Sequence, residues 1–209
     1  MKRLALILAT LCVFAAPASA QVFGQLHPAH PLRDNSNMWG GYLMLGDRVD
    51  DVGLLGQVRF SSSPKFDWGL QFGFADGSGD GAVMLGGDIR PSLKRADSEF
   101  PLDLAFDGAL GLTIADNVTI LELQPALLYS HRFPLDSGGA ISPYGSIGID
   151  FQNYSFDNVP PGFDDSDTET DVTARFGMEW EATRSFSVVG EFGVGGNLDG
   201  FVTGINVLF

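Results

Sequence analysis

The sequence predicts an all-β protein, an antiparallel up-and-down transmembrane β-barrel of about ten strands, with eight as the alternative count. Three observations support this prediction. Apolar residues alternate with polar or small ones in segments of roughly the ten residues that a tilted membrane-spanning strand needs. About ten such segments occur along the chain. Large aromatic residues also gather at one end of the strands when these are laid alternately up and down.

The predicted strands follow one another with short turn-forming stretches between them. In residues 66–74, for example, Phe66, Trp68 and Leu70 share one face while Asp67 and Gln71 share the other. Because successive side chains of a strand point to opposite faces, each strand has an apolar and a polar face. In chain order the strands begin near residues 39 and 52, cover 66–74, begin near 81, cover 102–114, 121–132, 141–152 and 171–181, begin near 185 and end with 201–209.

The N-terminus is predicted to be a cleaved secretory signal peptide. Lys2 and Arg3 precede an apolar run and the small-residue cleavage site Ala18-Ser19-Ala20. Cys12, the single cysteine, lies in this segment, so the mature chain is expected to have no thiol chemistry. The predicted organisation is a signal peptide (1–20), a flexible periplasmic leader (21–38) and the barrel (39–209).

Charge and hydropathy exclude two classes of protein. The chain carries 12 basic and 26 acidic residues, a net charge of −14 that becomes −16 without Lys2 and Arg3. Such an acidic chain is not suited to binding nucleic acid. No apolar stretch after the signal peptide is long enough to cross a bilayer as a helix of about 20 residues, which excludes a helical membrane protein.

The apolar face is predicted to contact lipid. A soluble sandwich or a lipocalin-like periplasmic barrel that binds a hydrophobic ligand would also alternate, but with its apolar face turned inward. Aromatic girdles are typical of membrane barrels, and a soluble barrel has no reason to form one. The predicted girdle consists of Trp39, Phe60, Phe66, Trp68, Phe133, Trp180, Phe186 and Phe209. Short turns on this side are assigned to the periplasm, and acidic loops, the longest at 155–170, to the outside.

The last nine residues resemble the C-terminal closing strand of bacterial outer-membrane β-barrels. Two further segments resemble small OmpA/OmpX-type outer-membrane β-barrels and their opacity-antigen relatives: the Ser-Pro-Tyr strand at 141–149 and the Phe-Ser-x-x-x-Glu pattern that starts at Phe186. The resemblance implies the outer membrane of a Gram-negative bacterium, with membrane lipid and lipopolysaccharide as partners. It also implies recognition by the barrel assembly machinery through the C-terminal strand. The corresponding assembly signal is Phe201, Ile205, Val207 and Phe209.

The polar face predicts a charged lumen in which acids outnumber bases. One hypothesis is an arginine–carboxylate network that rigidifies a plugged barrel, because small barrels are filled by their own side chains. The other is a narrow cation-selective path that uses the surplus acids. The predicted network consists of Arg59, Arg90, Arg132, Arg175, Asp67, Asp88, Asp103, Asp107, Glu122, Asp150, Glu179 and Glu191.

Metal and enzyme sites have only weak sequence support. The acidic loop offers Asp164, Asp165, Asp167 and Glu169 as a weak calcium candidate, but it lacks the glycine and glutamate spacing of an EF-hand loop, so a solvated loop is expected. His27 and His30 fall in the leader and are interpreted as linker, with adventitious metal binding as the alternative. No cofactor is predicted.

The predicted function is non-enzymatic, because no histidine has the serine or acidic partners of the known outer-membrane hydrolases. The leading hypothesis is a structural or surface-interaction barrel with a plugged, charged lumen and acidic extracellular loops. A small cation-selective pore is the alternative, and a soluble periplasmic barrel that binds a hydrophobic ligand is a third hypothesis.

Overall fold

The computed structural model describes residues 25–33, 36–46, 52–77, 80–136, 138–157, 165–195 and 200–209. The predicted signal peptide and residues 21–24 lie outside these ranges. Within them the chain forms ten long strands and one strand of two residues. The strands are β1 (Asn37–Gly46), β2 (Val52–Ser63), β3 (Phe66–Gly77), β4 (Asp80–Lys94), β5 (Asp103–Ala115), β6 (Val118–Ser130), β7 (Phe133–Pro134), β8 (Ala140–Phe156), β9 (Ser166–Glu181), β10 (Phe186–Val194) and β11 (Gly200–Leu208).

The long strands form one closed antiparallel sheet. Strands adjacent in sequence pair with each other, except that β6 pairs with β8 across the short β7. The first and last strands also pair, from Met38 with Leu208 to Gly46 with Gly200. The predicted up-and-down β-barrel is therefore confirmed, with ten long strands rather than eight.

The outer surface of the barrel is apolar. Leu54, Phe74 and Ile147 are 63, 60 and 61% exposed, and similar side chains occupy outward positions on the other long strands. Toward one rim, Trp39, Trp180 and Phe209 are also exposed. No helix in the described ranges has the length and apolarity to span a membrane. An apolar outer surface on a closed sheet is the arrangement that a bilayer requires of a barrel.

The inner surface carries the alternate, largely polar side chains, and glycines make room for the bulkiest of them. Tyr144 on β8 lies directly over Gly177 on β9, its register partner. A Cβ added at Gly177 would overlap the Tyr144 ring. The glycine therefore allows the aromatic side chain to lie flat inside the barrel.

The longest predicted loop is shorter than expected. Residues 155–170 were expected to be loop, yet β8 continues to Phe156 and β9 starts at Ser166, with Ser155 paired to Ser166. Threonine at 168 and 170 favours a strand, and the ladder of backbone hydrogen bonds with β8 outweighs the local acidity. The acidic residues at the start of β9 thus lie on an extended hairpin.

The N-terminal segment also differs from the expectation of a flexible periplasmic leader. Residues 25–32, here called the plug, lie inside the barrel, and Leu26 and Ala29 are 0 and 1% exposed. The segment from Gln21 to Leu32 has no charged residue. An uncharged, partly apolar segment gains free energy by leaving water, and the barrel interior offers it apolar contacts and hydrogen-bond partners.

Candidate functional site

The candidate site is the barrel lumen together with the plug. Of the twelve residues of the predicted network, eleven are buried, and all of these lie on the inward faces of their strands. The exception is Arg132, whose side chain is 41% exposed and pairs with Glu181 at the rim through two hydrogen bonds of 2.8 Å. The expected position of Arg132 was wrong because β6 ends at Ser130, so strand alternation does not extend to it.

Two arginines and two aspartates form a layer in the half of the lumen near the β2–β3 turn. Arg59 lies between Asp67 and Asp88. Its Nε is 3.1 Å from Asp67 Oδ1, and its Nη1 and Nη2 donate hydrogen bonds to the two carboxylate oxygens of Asp88. Arg90 Nε donates to Asp67 Oδ1 at 3.1 Å. Asp67 therefore serves two arginines, which links strands β2, β3 and β4 through charge-assisted hydrogen bonds.

A second layer surrounds Glu191 near the middle of β10. Arg175 Nη1 donates to Glu191 Oε1 at 3.1 Å, and the Tyr144 hydroxyl donates to Oε2 at 2.9 Å. Arg175 Nη2 also donates to Gln124 Oε1 at 3.1 Å. This layer connects β6, β8, β9 and β10 across the barrel interior.

Several lumen carboxylates have no such partner. Within the described ranges, Asp107, Glu122, Asp150 and Glu179 have no lysine or arginine within 4.0 Å, whereas Asp103 is 3.5 Å from Arg95. All four are buried. A buried carboxylate without a cation is costly, so the lumen keeps an excess of negative charge that favours protons or cations.

The barrel wall binds the plug through its backbone. The amides of Gln25 and Leu26 donate to the two carboxylate oxygens of Glu191 at 3.2 and 3.0 Å. The Leu32 amide donates to Asp67 Oδ2 at 3.3 Å. Arg90 Nη1 donates to the carbonyls of His27 and Pro28 at 3.3 Å each. The same charged layers that pair within the wall thus satisfy the backbone of a segment that forms no secondary structure.

Two apolar contacts hold the plug on opposite sides. Leu26 belongs to a buried cluster on the wall that includes Tyr42 and Val189, whereas Ala29 packs in a second cluster with Ala105 and Leu128. Leu26 adopts a positive φ of 52°, which costs a non-glycine residue about 1–3 kcal/mol and persists only where its surroundings enforce it. The position of the plug is therefore specified by the lumen.

Two histidines of the plug face the rim. His27 is 3% exposed, and its Nδ1 lies 2.9 Å from the Pro28 carbonyl oxygen, whereas His30 Nδ1 is buried with no hydrogen-bond partner. Burial lowers the pKa of His27 well below its usual value, and the Arg90 charge adds to this effect. Burial likewise lowers the pKa of His30 to about 4. Both imidazoles are therefore neutral at pH 7.

Two cavities lie beside the plug in the described part of the chain. The larger cavity, about 360 Å³, lies at the rim where the plug enters and is lined by His27, His30, Glu179, Glu181 and several arginines. We call it the vestibule. A smaller one of about 10 Å³ lies deeper, between Gln25, Asp88 and Asp107, and has room for about one water molecule.

The other predicted site residues lie on the outside. Phe201, Ile205 and Phe209 of the proposed assembly signal are exposed, with Val207 half-buried on the same face. Asp165, Asp167 and Glu169 are exposed, and they form no group with metal-binding spacing among the described residues; Asp164 lies outside the described ranges. The His27, His30 and Glu179 group is instead the one with such spacing in the part of the chain that the structure describes.

Sequence reasoning missed the contribution of the plug residues Gln25 and Leu26 and of Asn206, whose Nδ2 donates to the Leu26 carbonyl at 3.4 Å. One signal for the plug was present in the sequence. A segment of twelve residues without any charge is unusual for a leader that stays in water.

Comparison with known proteins defines the fold and nothing finer. No protein-family model matches the chain, and no curated protein is significantly similar to it in sequence. Among solved structures, the β domain of the Bordetella autotransporter BrkA is similar with a TM-score of 0.52 at 10% identity, over 84% of this chain and 100% of that one. A bacterial polysaccharide outer-membrane secretin reaches a TM-score of 0.46 at 12% identity over 86% of this chain, which spans 66% of that one. Ail, the attachment invasion locus protein of Yersinia pestis, reaches 0.28 at 11% identity, over 83% of this chain and 95% of that one.

These likenesses show the fold alone. The chain forms a closed antiparallel barrel with an apolar outer surface, the architecture that outer-membrane β-barrel proteins also have.

Proposed function

We propose that the protein is a non-enzymatic outer-membrane barrel whose lumen is closed by its own N-terminal segment. Its function then lies at its surface, in a structural role or in interactions of the acidic extracellular loops. The observation that carries this proposal is the plug: five backbone groups of residues 25–32 are bonded to charged side chains of the wall. In this proposal the filled lumen offers no path for ions.

The surface role rests on the extended β8–β9 hairpin. Asp165, Asp167 and Glu169 are exposed on it, at the end of the barrel opposite the plug. Divalent cations bridge such carboxylates to phosphate groups, which makes lipopolysaccharide a suitable partner. In this proposal a cleaved signal peptide exports the chain, membrane lipid surrounds the apolar belt, and the barrel assembly machinery inserts it through β11.

The second candidate function is a small cation-selective pore. The four buried carboxylates without a basic partner favour it, because they would attract cations along any hydrated path. The pore requires the plug to leave the lumen. The two candidates therefore differ in the state of residues 25–32.

Ion conductance distinguishes them. The protein, refolded in detergent and inserted in a planar bilayer at neutral pH, is expected to be silent. A variant in which residues 25–32 are replaced by a glycine–serine linker of the same length is expected to give discrete cation-selective steps. Heat-modifiable gel migration checks that both have folded.

A matched control keeps the linker and removes the surplus charge. The linker variant that also carries Asp107→Asn and Glu122→Gln is expected to show lower cation selectivity, while its discrete conductance steps remain. Steps of equal size with and without the plug would contradict the plugged barrel and support the pore.

A further inference from the structure

A cluster of two imidazoles and a carboxylate lies at the bottom of the vestibule. One ligand atom from each of His27, His30 and Glu179 lies within 4.8 Å of the other two. His27 and His30 belong to the plug, whereas Glu179 lies on the wall strand β9. The cluster therefore joins the plug to the barrel.

The hydrogen bonds leave metal-binding atoms available. If His27 Nδ1 donates its proton to the Pro28 carbonyl, at 2.9 Å, its Nε2 lone pair is free. His30 Nδ1 is buried and has no hydrogen-bond partner in the described chain. An orphaned nitrogen inside a protein costs free energy that a bound ion would recover.

Glu179 supplies the negative charge. It is 3% exposed and has no arginine or lysine within 4.0 Å among the described residues. Ser187 Oγ donates to its Oε1 at 2.6 Å, which fixes the carboxylate and leaves it capable of a further bond. Such support of a ligating carboxylate by a hydrogen bond is usual in metal sites.

We propose that His27, His30 and Glu179 bind one divalent transition-metal ion of the Zn²⁺ class, which fastens the plug to the wall. Two imidazoles and a carboxylate suit Zn²⁺, whereas Ca²⁺ and Mg²⁺ prefer oxygen ligands alone. Bonds of about 2.0–2.1 Å require the three ligand atoms, which lie within 4.8 Å of one another, to approach to roughly 3.3 Å when the ion binds. The fourth position is left to water from the vestibule.

The site rests on the position of the plug, and the fastening effect rests on the proposed function. The vestibule is also lined by Arg33, Arg95, Arg132 and Arg184, and Arg90 donates to the carbonyls of His27 and Pro28; these cations disfavour a metal ion. Arg90 is paired with Asp67, and Arg184 is exposed in the β9–β10 turn. Arg132 is paired with Glu181 and Arg95 with Asp103, so both charges are compensated within the rim. The side chain of Arg33 is 53% exposed and lies 3.9 Å from Glu181.

Titration of the metal-free refolded barrel with Zn²⁺ in detergent tests the proposal. Calorimetry is expected to give one ion per chain, and Co²⁺ is expected to give the visible absorption of a tetrahedral complex. His30→Ala and Glu179→Gln are each expected to weaken Zn²⁺ binding by more than about 100-fold, the upper loss seen when a mere supporting residue is removed.

The matched control is His131→Ala. His131 lies outside the plug, between β6 and β7. Its substitution is expected to leave both the stoichiometry and the affinity of Zn²⁺ binding unchanged. Binding that survives His30→Ala and Glu179→Gln, or an octahedral Co²⁺ spectrum, would overturn the site. If the barrel binds no Zn²⁺ and gives no conductance in bilayers, the metal site is refuted and the plugged barrel stands. If the barrel conducts ions while Zn²⁺ is bound, the metal site stands and the plugged barrel is refuted.

Discussion

At the scale of residues, Arg59 shows how the lumen compensates buried charge. Its guanidinium is 1% exposed and is shared between Asp67 and Asp88. Asp67 in turn accepts the Leu32 amide of the plug. One arginine thus supports both the wall and the segment that fills it.

Arg59→Ala is expected to destabilise the barrel by about 3–5 kcal/mol, because it leaves Asp67 and Asp88 buried beside one fewer cation. Urea unfolding in lipid vesicles measures the change. Arg184→Ala, an exposed arginine in the β9–β10 turn, is the control and is expected to change the free energy of unfolding by less than about 0.5 kcal/mol. Equal effects of the two substitutions would count against the ion-pair layer.

At the scale of elements, β11 closes the barrel against β1. Asn37 and Phe209 exchange two backbone hydrogen bonds of 2.9 Å at this seam. The side chain of Phe209 is 65% exposed and points outward, so it contributes little to the interior. The role proposed for Phe209 is recognition of β11 by the barrel assembly machinery during insertion, and this role does not depend on packing in the folded interior.

Phe209→Ala is expected to lower the amount of barrel inserted in the outer membrane of cells severalfold, while refolding of the purified protein in detergent stays unchanged. Phe192→Ala on the neighbouring β10, 48% exposed on the same surface, is the matched control and is expected to insert normally. Heat-modifiable migration of membrane fractions measures both. A normal yield for Phe209→Ala would refute the assembly signal.

At the scale of the whole molecule, the outer surface separates a membrane barrel from a soluble one. Leu70, near the middle of β3, is 52% exposed, and Leu93, near the end of β4, is 58% exposed. Exposure alone does not distinguish these two positions. Their depth in a bilayer does, because the penalty for a charge is largest at the midplane.

Leu70→Arg is expected to cost about 2–4 kcal/mol in lipid vesicles, and Leu93→Arg about 0–1 kcal/mol. Chemical unfolding of both variants beside the unmodified protein gives the comparison. Equal and small penalties would place the surface outside a bilayer and would favour the soluble ligand-binding barrel, which fractionates without detergent.

The sequence by itself determined the barrel, because strand alternation is local. The inward and outward sets of β3 and β9 follow from parity once the strand is recognised, and so does the burial of Arg59, Arg90 and Arg175. Strand alternation no longer predicts the direction of a side chain where regular pairing ends, as at Arg132 beyond the end of β6. The loop prediction was wrong at residues 155–156 and 166–170, which form strand because cross-strand pairing outweighs acidic composition.

Only the tertiary structure decided what fills the lumen. The plug has no periodicity, and its partners Asp67, Arg90, Glu191 and Asn206 are distant from it in sequence. The proximity of His27 and His30 to Glu179 also depends on closure of the barrel, which brings β9 close to two histidines about 150 positions earlier in the sequence. Alternation specifies which way a side chain points, whereas contacts across a closed interior depend on where every strand lies.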